Sequence, residues 1–89
     1  MKIGETIRIF RIANNCSVRW LSEKCGFSET LVSEVENNHK EPSLKTLKKF
    51  ANSLNVPLSA IFEICELSEE ANWDYQKTLL ETLKIYISK

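Results

Sequence analysis

The amino-acid sequence predicts an all-α fold, a bundle of five short helices followed by one more amphipathic helix at the C-terminal end. Apolar residues recur at intervals of three and four in one segment after another, which is the spacing of a buried helix face. Residues that favour helix ends, mainly Ser, Asn and Gly, separate these segments. No segment shows the alternating apolar and polar pattern of a strand, so short loops between helices account for the chain.

The length and composition describe one small domain with few groups suited to catalysis. A chain of 89 residues has room for a single domain with a small core. It has no apolar run of about 18 residues and opens with no signal-peptide pattern, so we expect no membrane segment and a cytoplasmic location. Cys16, Cys25 and Cys65 lack metal-ligand spacing and should be reduced thiols, and His39 is the only histidine. We therefore expect no catalytic residue, no metal and no cofactor.

Charge is distributed unevenly along the chain, although the net charge is zero. Residues 1–56 carry nine basic and six acidic side chains, a net charge of +3, and residues 57–89 carry three basic and six acidic, a net charge of −3. This asymmetry fits a basic binding region and an acidic tail. The chain is accordingly divided into a binding domain over residues 1–65 and a C-terminal helix over residues 66–89.

Helix 1 is predicted over about Lys2 to Asn14. Its inward stripe, at i, i+4 and i+7, is formed by Ile3, Ile7 and Phe10. Ile9 and Ile12 fall on the opposite side, since successive side chains are about 100° apart around a helix. Two isoleucines there, with Trp20 nearby in the sequence, indicate a second apolar surface that a partner covers.

Two shorter helices joined by a tight turn follow in residues 17–36. Ser17 offers a capping oxygen to helix 2, which is predicted from about Val18 to Cys25. Gly26 should end that helix, because glycine adopts left-handed backbone geometry at the least cost. Ser28 then caps helix 3. This is a helix-turn-helix arrangement, whose second helix can enter a DNA major groove.

Helix 3 is predicted to have a buried face and outward faces. Val32 and Val35 are three residues apart and share the buried face, and Phe27 in the turn should point inward. Asn38 suits the left-handed position that ends the helix. The outward faces carry Glu29, Thr30, Ser33 and Glu34.

Helices 4 and 5 complete the predicted bundle. Ser43 caps helix 4, and Asn55 ends it. Helix 5 begins after Pro57. The side chains expected to face inward from these two helices are Leu44, Leu47, Phe50, Ala51, Leu54, Leu58, Ile61 and Phe62.

A sixth helix is predicted after a joint at residues 65–68, with Ser68 as its cap and an end near Ser88. Its apolar residues share one side at heptad spacing. Two heptads are too few for a freestanding coiled coil, so this helix should both fold over its own domain and contact a second copy. The residues assigned to that dimer contact are Trp73, Leu79, Leu80, Leu83 and Ile87.

The residues GFSETLVSEVE, Gly26 to Glu36, followed by Pro42 to Leu44, resemble the phage-repressor-like (Xre-type) helix-turn-helix family. The resemblance covers about Ile3 to Ile64. It implies a five-helix repressor-like DNA-binding bundle in which helix 3 is the recognition helix. It also implies that an arginine in helix 1 pairs with the glutamate that ends helix 3, here Arg11 with Glu36.

This sequence departs from the family pattern at several positions. Glu29 and Glu34 stand where Gln, Arg, Ser or Lys is more frequent. Asn38 replaces the usual glycine, and Trp20 replaces a polar residue. These differences place acidic side chains on the helix that is expected to read DNA.

The expected contacts with DNA fall into two sets. Base reading is assigned to Glu29, Thr30, Ser33 and Glu34, and glutamate accepts hydrogen bonds from cytosine N4. Phosphate binding is assigned to helix N-termini and nearby donors, which supply most protein–DNA hydrogen bonds. That second set is Ser17, Val18, Arg19, Ser28, Asn37, His39, Lys40, Ser43 and Lys45. Each of these residues, taken singly, is equally consistent with a solvated polar rim.

Two functions are consistent with these features. The first is a sequence-specific transcriptional regulator, a dimeric repressor on a palindromic operator. Its partners are double-stranded DNA, a second copy of the chain and a protein co-regulator. The alternative is a protein-interaction module on the same scaffold, such as an antitoxin, an antirepressor or an assembly adapter. The phosphate-binding set favours the first function, whereas the acidic helix 3 and the zero net charge favour the second.

Overall fold

The computed structural model describes residues 2–69, which form five α-helices and no strand. The helices are Ile3–Ala13 (α1), Val18–Cys25 (α2), Glu29–Glu36 (α3), Leu44–Ser53 (α4) and Leu58–Glu69 (α5). The α1 helix packs against α3 and α5, α2 packs against α3 and α4, and α4 packs against α5. This arrangement confirms the predicted all-α fold. The predicted C-terminal helix, with Trp73, Leu79, Leu80, Leu83 and Ile87, lies outside the described residues.

Three serines begin three of the helices, as predicted. The Oγ atoms of Ser17, Ser28 and Ser43 accept hydrogen bonds of 2.9, 3.0 and 3.2 Å from the backbone N–H groups three residues later. Each cap satisfies a donor that the first helical turn leaves unpaired and is worth about 1 kcal/mol. These caps fix where α2, α3 and α4 begin.

A residue with left-handed backbone geometry follows each of the first four helices and ends it. Asn15, Gly26, Asn38 and Asn55 have left-handed backbone geometry, with φ of 57°, 73°, 62° and 58°. In each case the next backbone N–H donates to the carbonyl five residues before it, over 2.8 to 3.1 Å, which is a Schellman motif. The sequence prediction included three of these four positions and missed Asn15.

The core draws on every helix of the described region. Its fully buried large side chains include Ile7, Phe10, Leu21, Phe50 and Ile61. Phe27 is half-buried against this core, edge-on to Phe50 with 5.5 Å between ring centroids, as predicted. Cys25 is also buried there, and burial raises the pKa of its thiol, which therefore stays protonated at neutral pH.

Three side chains do not lie where the helical spacing placed them. Leu44 and Phe62 were expected to face inward but are 56 % and 39 % exposed. Leu44 begins α4, beyond the cover of the neighbouring helices, and Phe62 is turned outward because Ile61 and Ile64 occupy the buried face of α5. Ile9, expected on the outer side with Ile12, is half-buried and packs on the core.

The joint predicted at residues 65–68 is wrong. The α5 helix runs without a break from Leu58 to Glu69, so residues 65–68 lie inside it. Residues 65–68 contain no Gly, Pro or Asn that would end a helix, and all four types are compatible with a helix interior. The division into domains at residue 65 stays a prediction. No helix in residues 2–69 has the length and apolarity needed to cross a bilayer.

Gly4 allows α1 to approach the end of α3 closely, a role that the sequence did not indicate. It is buried, and a Cβ atom added to it would overlap the carbonyl oxygen of Val35 and lie 2.9 Å from Oδ1 of Asn38. Both obstacles belong to the turn that ends α3. The contact therefore fixes the spacing between α1 and the loop after α3.

Gly4→Ala should lower the free energy of unfolding by about 2 kcal/mol, because the added methyl group forces two packed backbones apart. Urea denaturation of the variant measures this loss. The matched control is Gly26→Ala, whose Cβ would meet nothing within 4 Å and which bears only the cost of left-handed geometry, about 1 kcal/mol. A smaller loss for Gly4→Ala than for Gly26→Ala would contradict the close-approach role.

Candidate nucleic-acid interface

The outward face of α3 carries the four residues predicted to read bases. Glu29 and Thr30 are exposed, and Ser33 and Glu34 are half-buried. On the opposite side, Val32 and Val35 are 0 % and 1 % exposed and anchor the helix to the core. The placement of these side chains agrees with the prediction. Their role in DNA binding stays a prediction.

A shallow, open depression lies over this face of α3. Its volume is about 420 Å³. The residues that line it are Val18, Glu29, Thr30, Ser33, Glu34, Asn37 and His39. The structure thus brings all four predicted base-reading residues together with three members of the predicted phosphate-binding set. Three segments meet there: the start of α2, the outer side of α3 and the loop that follows α3.

The loop after α3 is held in place by hydrogen bonds to the helix it leaves. The carbonyl oxygen of Glu34 accepts from the backbone N–H groups of His39 and Lys40, at 2.8 and 3.2 Å. The side-chain amide of Asn38 donates to Oε1 of Glu5 over 3.2 Å, which fastens the loop to α1. These bonds hold the loop residues of the depression in a fixed position beside the recognition face.

The other members of the predicted phosphate-binding set are exposed but do not line the depression. They are Ser17, Arg19, Ser28, Lys40, Ser43 and Lys45. Lys40 instead borders a separate cavity between the start of α1, the α3–α4 loop and α5. The guanidinium of Arg19 lies 3.2 Å from Glu23, but both side chains are more than two-thirds exposed, so that ion pair is weak and leaves Arg19 accessible.

The ion pair between Arg11 and Glu36 supports α3 from the side of α1. Nε and Nη2 of Arg11 donate to the two carboxylate oxygens of Glu36 at 2.7 and 2.9 Å, and Nη1 donates to the carbonyl oxygen of Cys16 at 2.8 Å. The two side chains are only 12 % and 4 % exposed. Hydrogen bonding to Glu36 raises the pKa of Arg11. This pair, implied by the family resemblance, is confirmed.

Two further apolar side chains mark the surface outside the depression. Ile12 is 51 % exposed on α1, as predicted, and Trp20 is 36 % exposed on α2. The ammonium group of Lys24 lies 5.7 Å from the centroid of the Trp20 ring.

In residues 2–69, no three His, Cys, Asp or Glu side chains form a group able to hold a metal ion.

Comparison with known proteins identifies relatives of this fold. A family model described as helix-turn-helix matches residues 7–61. The chain is 25% identical over 84 residues to the HTH-type transcriptional regulator SutR of Escherichia coli, covering 94% of the chain and 47% of that protein. It is 34% identical over 62 residues to the HTH-type transcriptional regulator SlrR of Bacillus subtilis, covering 68% and 41%. It is 29% identical over 75 residues to the immunity repressor protein of Bacillus phage phi105, covering 84% and 52%.

The chain therefore spans about half the length of the curated relatives it matches. No solved structure matches it significantly. The family model covers more than half of the chain and includes α2, α3 and the turn between them. Together with the capped helices, the left-handed turn at Gly26 and the Arg11–Glu36 pair, this match shows that the chain belongs to the phage-repressor-like (Xre-type) helix-turn-helix family.

Proposed function

We propose that this protein is a DNA-binding transcriptional regulator that acts as a dimeric repressor on a palindromic operator. The observation that carries the proposal is the depression over α3, where outward polar side chains meet the start of α2 and the fixed loop. Relatives named as transcriptional regulators and as an immunity repressor support it. These names and the family match point to a regulator that binds DNA and not to an enzyme.

The proposed mode of binding places α3 in the major groove, which is about 12 Å wide and admits one helix. The exposed basic side chains Arg19 and Lys45 would lie toward the DNA backbone on either side of it. The buried Arg11–Glu36 pair and the capped helix ends keep α3 fixed relative to these contacts. Binding then blocks access of other proteins to the operator.

The acidic character of α3 sets the chemistry of base reading. The carboxylates of Glu29 and Glu34 accept hydrogen bonds, so they suit the amino groups of cytosine and adenine in the major groove. Guanine presents two acceptors there and is disfavoured opposite a carboxylate. Each carboxylate also lies near phosphates and weakens binding overall. We therefore propose modest affinity for one half-site.

In the proposed mechanism, dimerisation compensates for the modest affinity of one protomer for one half-site. Two copies related by a twofold axis would read two half-sites about one helical turn, roughly 34 Å, apart. The apolar C-terminal residues 73–87 are the proposed source of the contact between copies. Exposed Ile12 is the proposed surface against which that segment packs.

Glu34→Gln should change the preferred base at one position of each half-site and raise overall affinity. The amide can both donate and accept, so it suits adenine and no longer excludes guanine, and the repelling charge is lost. A binding-site selection from random duplexes, run in parallel on both proteins, measures the change. Glu63→Gln, an exposed change on α5 away from the depression, is the charge-matched control. An identical preference at every position for Glu34→Gln and the unmodified protein would count against base reading by Glu34.

The proposed function is tested by gel-shift titration with the DNA upstream of the protein's own gene, repeated across salt concentrations. Specific binding should persist against competitor DNA. If Arg19 and Lys45 each neutralise one phosphate, the logarithm of affinity should fall against the logarithm of salt with a slope of about −2 per protomer. Binding that is weak and equal for all duplexes would refute a sequence-specific regulator.

A protein-interaction module is the second candidate, favoured by the exposure of Ile12 and Trp20. It predicts that no duplex is bound and that Ile12→Ser with Trp20→Ser abolishes association with the partner. In the DNA-binding proposal, Trp20→Ser alone leaves operator affinity unchanged, because Trp20 belongs neither to the depression nor to the proposed phosphate contacts. The gel shift with Trp20→Ser therefore separates the two functions.

A further inference from the structure

Val18 is the aliphatic residue in a depression whose other lining residues are polar or charged. It is the first residue of α2 and is half-buried, with part of its side chain packed on the core. Val18 also lines the depression, together with Glu29, Thr30, Ser33 and Glu34. A valine side chain neither donates nor accepts hydrogen bonds, so this part of the wall is unsuited to a phosphate oxygen.

The DNA major groove contains one apolar group that an aliphatic side chain can recognise. This is the C5-methyl group of thymine, which stands beside the hydrogen-bonding edges of the bases. An apolar contact with that methyl group removes both surfaces from water, whereas cytosine at the same place offers only an edge without a methyl group. The depression therefore combines acceptors for base amino groups with one site for a methyl group.

We propose that the side chain of Val18 is a specificity-determining contact that selects a thymine at one position of each half-site by binding its C5-methyl group. This inference rests on the proposed DNA-binding function and specifies part of the sequence that the site accepts. It gives the Val18 side chain a role separate from the phosphate contact expected of the backbone at the start of α2. Thr30, whose side chain also carries a methyl group in the depression, is the alternative source of such a contact.

The test uses operator duplexes in which each thymine in turn is replaced by deoxyuridine, which lacks only the methyl group. The operator is the one enriched from random duplexes by the unmodified full-length protein. At one thymine position of a half-site, a single replacement should weaken binding about fourfold. This factor corresponds to burial of one methyl-sized group, about 0.8 kcal/mol at about 1.4 kcal/mol per tenfold change in affinity. The same replacement should have no effect on the affinity of Val18→Ala.

Two further variants keep the result interpretable. Val18→Gln keeps an aliphatic stem that can pack on the core and ends in a polar amide, so it tests the apolar contact if Val18→Ala does not fold. It should also lose most of the discrimination between thymine and uracil. Thr30→Ser removes the competing methyl group and should keep the full fourfold discrimination.

The outcomes separate this inference from the proposed function. Loss of discrimination in both Val18 variants, with discrimination retained in Thr30→Ser, supports the inference. Tight sequence-specific binding that is insensitive to every thymine replacement overturns it and leaves the proposed function intact. Loss of discrimination in Thr30→Ser alone also overturns it. Absence of any sequence-specific binding by the unmodified protein overturns the proposed function and this inference together.

Discussion

Arg11→Met should lower the free energy of unfolding by about 3 kcal/mol, because it leaves the buried carboxylate of Glu36 without a partner. Glu36 is 4 % exposed in its side chain and receives two hydrogen bonds from Arg11. The change also removes the donor to the carbonyl oxygen of Cys16, so the turn after α1 loses one of its hydrogen bonds. Chemical denaturation at neutral pH measures the loss.

A second variant separates the cost of a stranded charge from the loss of packing. Arg11→Met combined with Glu36→Leu removes both charges and should recover most of the lost stability, since paired apolar replacements of buried ion pairs are often neutral. The control is Glu23→Gln, which breaks the exposed pair with Arg19 and should cost less than about 0.5 kcal/mol. If Arg11→Met unfolds at the same denaturant concentration as the unmodified protein, the pair has no structural role.

Leu80→Glu combined with Leu83→Glu should produce a folded monomer that binds a two-half-site operator on the order of 100-fold more weakly. Both residues belong to the proposed dimer contact, which lies beyond the described part of the chain, and a charge buried in an apolar contact is costly. A dimer engages the second half-site as an intramolecular event, so loss of the dimer removes that gain in affinity. Sedimentation gives the mass, and titration against the operator gives the affinity.

The proposed dimer predicts two further results. Binding to a duplex with one half-site should be equally weak for the variant and the unmodified protein. Thr78→Glu with Ser88→Glu adds the same charge on the predicted polar side of that segment and should leave the dimer intact. A clean monomer mass for the unmodified protein at micromolar concentration would refute the homodimer and favour a different protein partner.

Local features of the fold could be predicted from the sequence because their causes lie within a few residues. A serine before an apolar periodic segment caps a helix, and a glycine or asparagine after it adopts the left-handed geometry that ends it. The bounds of α2 and the start of α3 can therefore be predicted from Ser17, Gly26 and Ser28 without any tertiary contact. The continuation of α5 through Ser68 was missed, because the same residue type is also compatible with a helix interior.

Contacts between distant residues were less predictable. The close approach of Gly4 to Val35 and the bond between Asn38 and Glu5 depend on how α1 lies against α3, which no short pattern encodes. The Arg11–Glu36 pair was the exception, because the family resemblance supplied it. In the candidate site, the outward residues of α3 followed from helical spacing. The placement of Lys40 beside a separate cavity depends on the course of the α3–α4 loop.

We propose that the outer face of α3, with Val18 and the following loop, is the DNA interface. The most direct test is an NMR titration of the isotope-labelled full chain with the duplex that it enriches from a random pool, or with its upstream DNA at low salt. The largest changes in amide chemical shift should fall on Val18, on residues 29–34 and on Asn37 to His39. If those amides stay unchanged at saturating DNA while the amides of Ile12 and Trp20 shift, or if no amide shifts, the claim is contradicted.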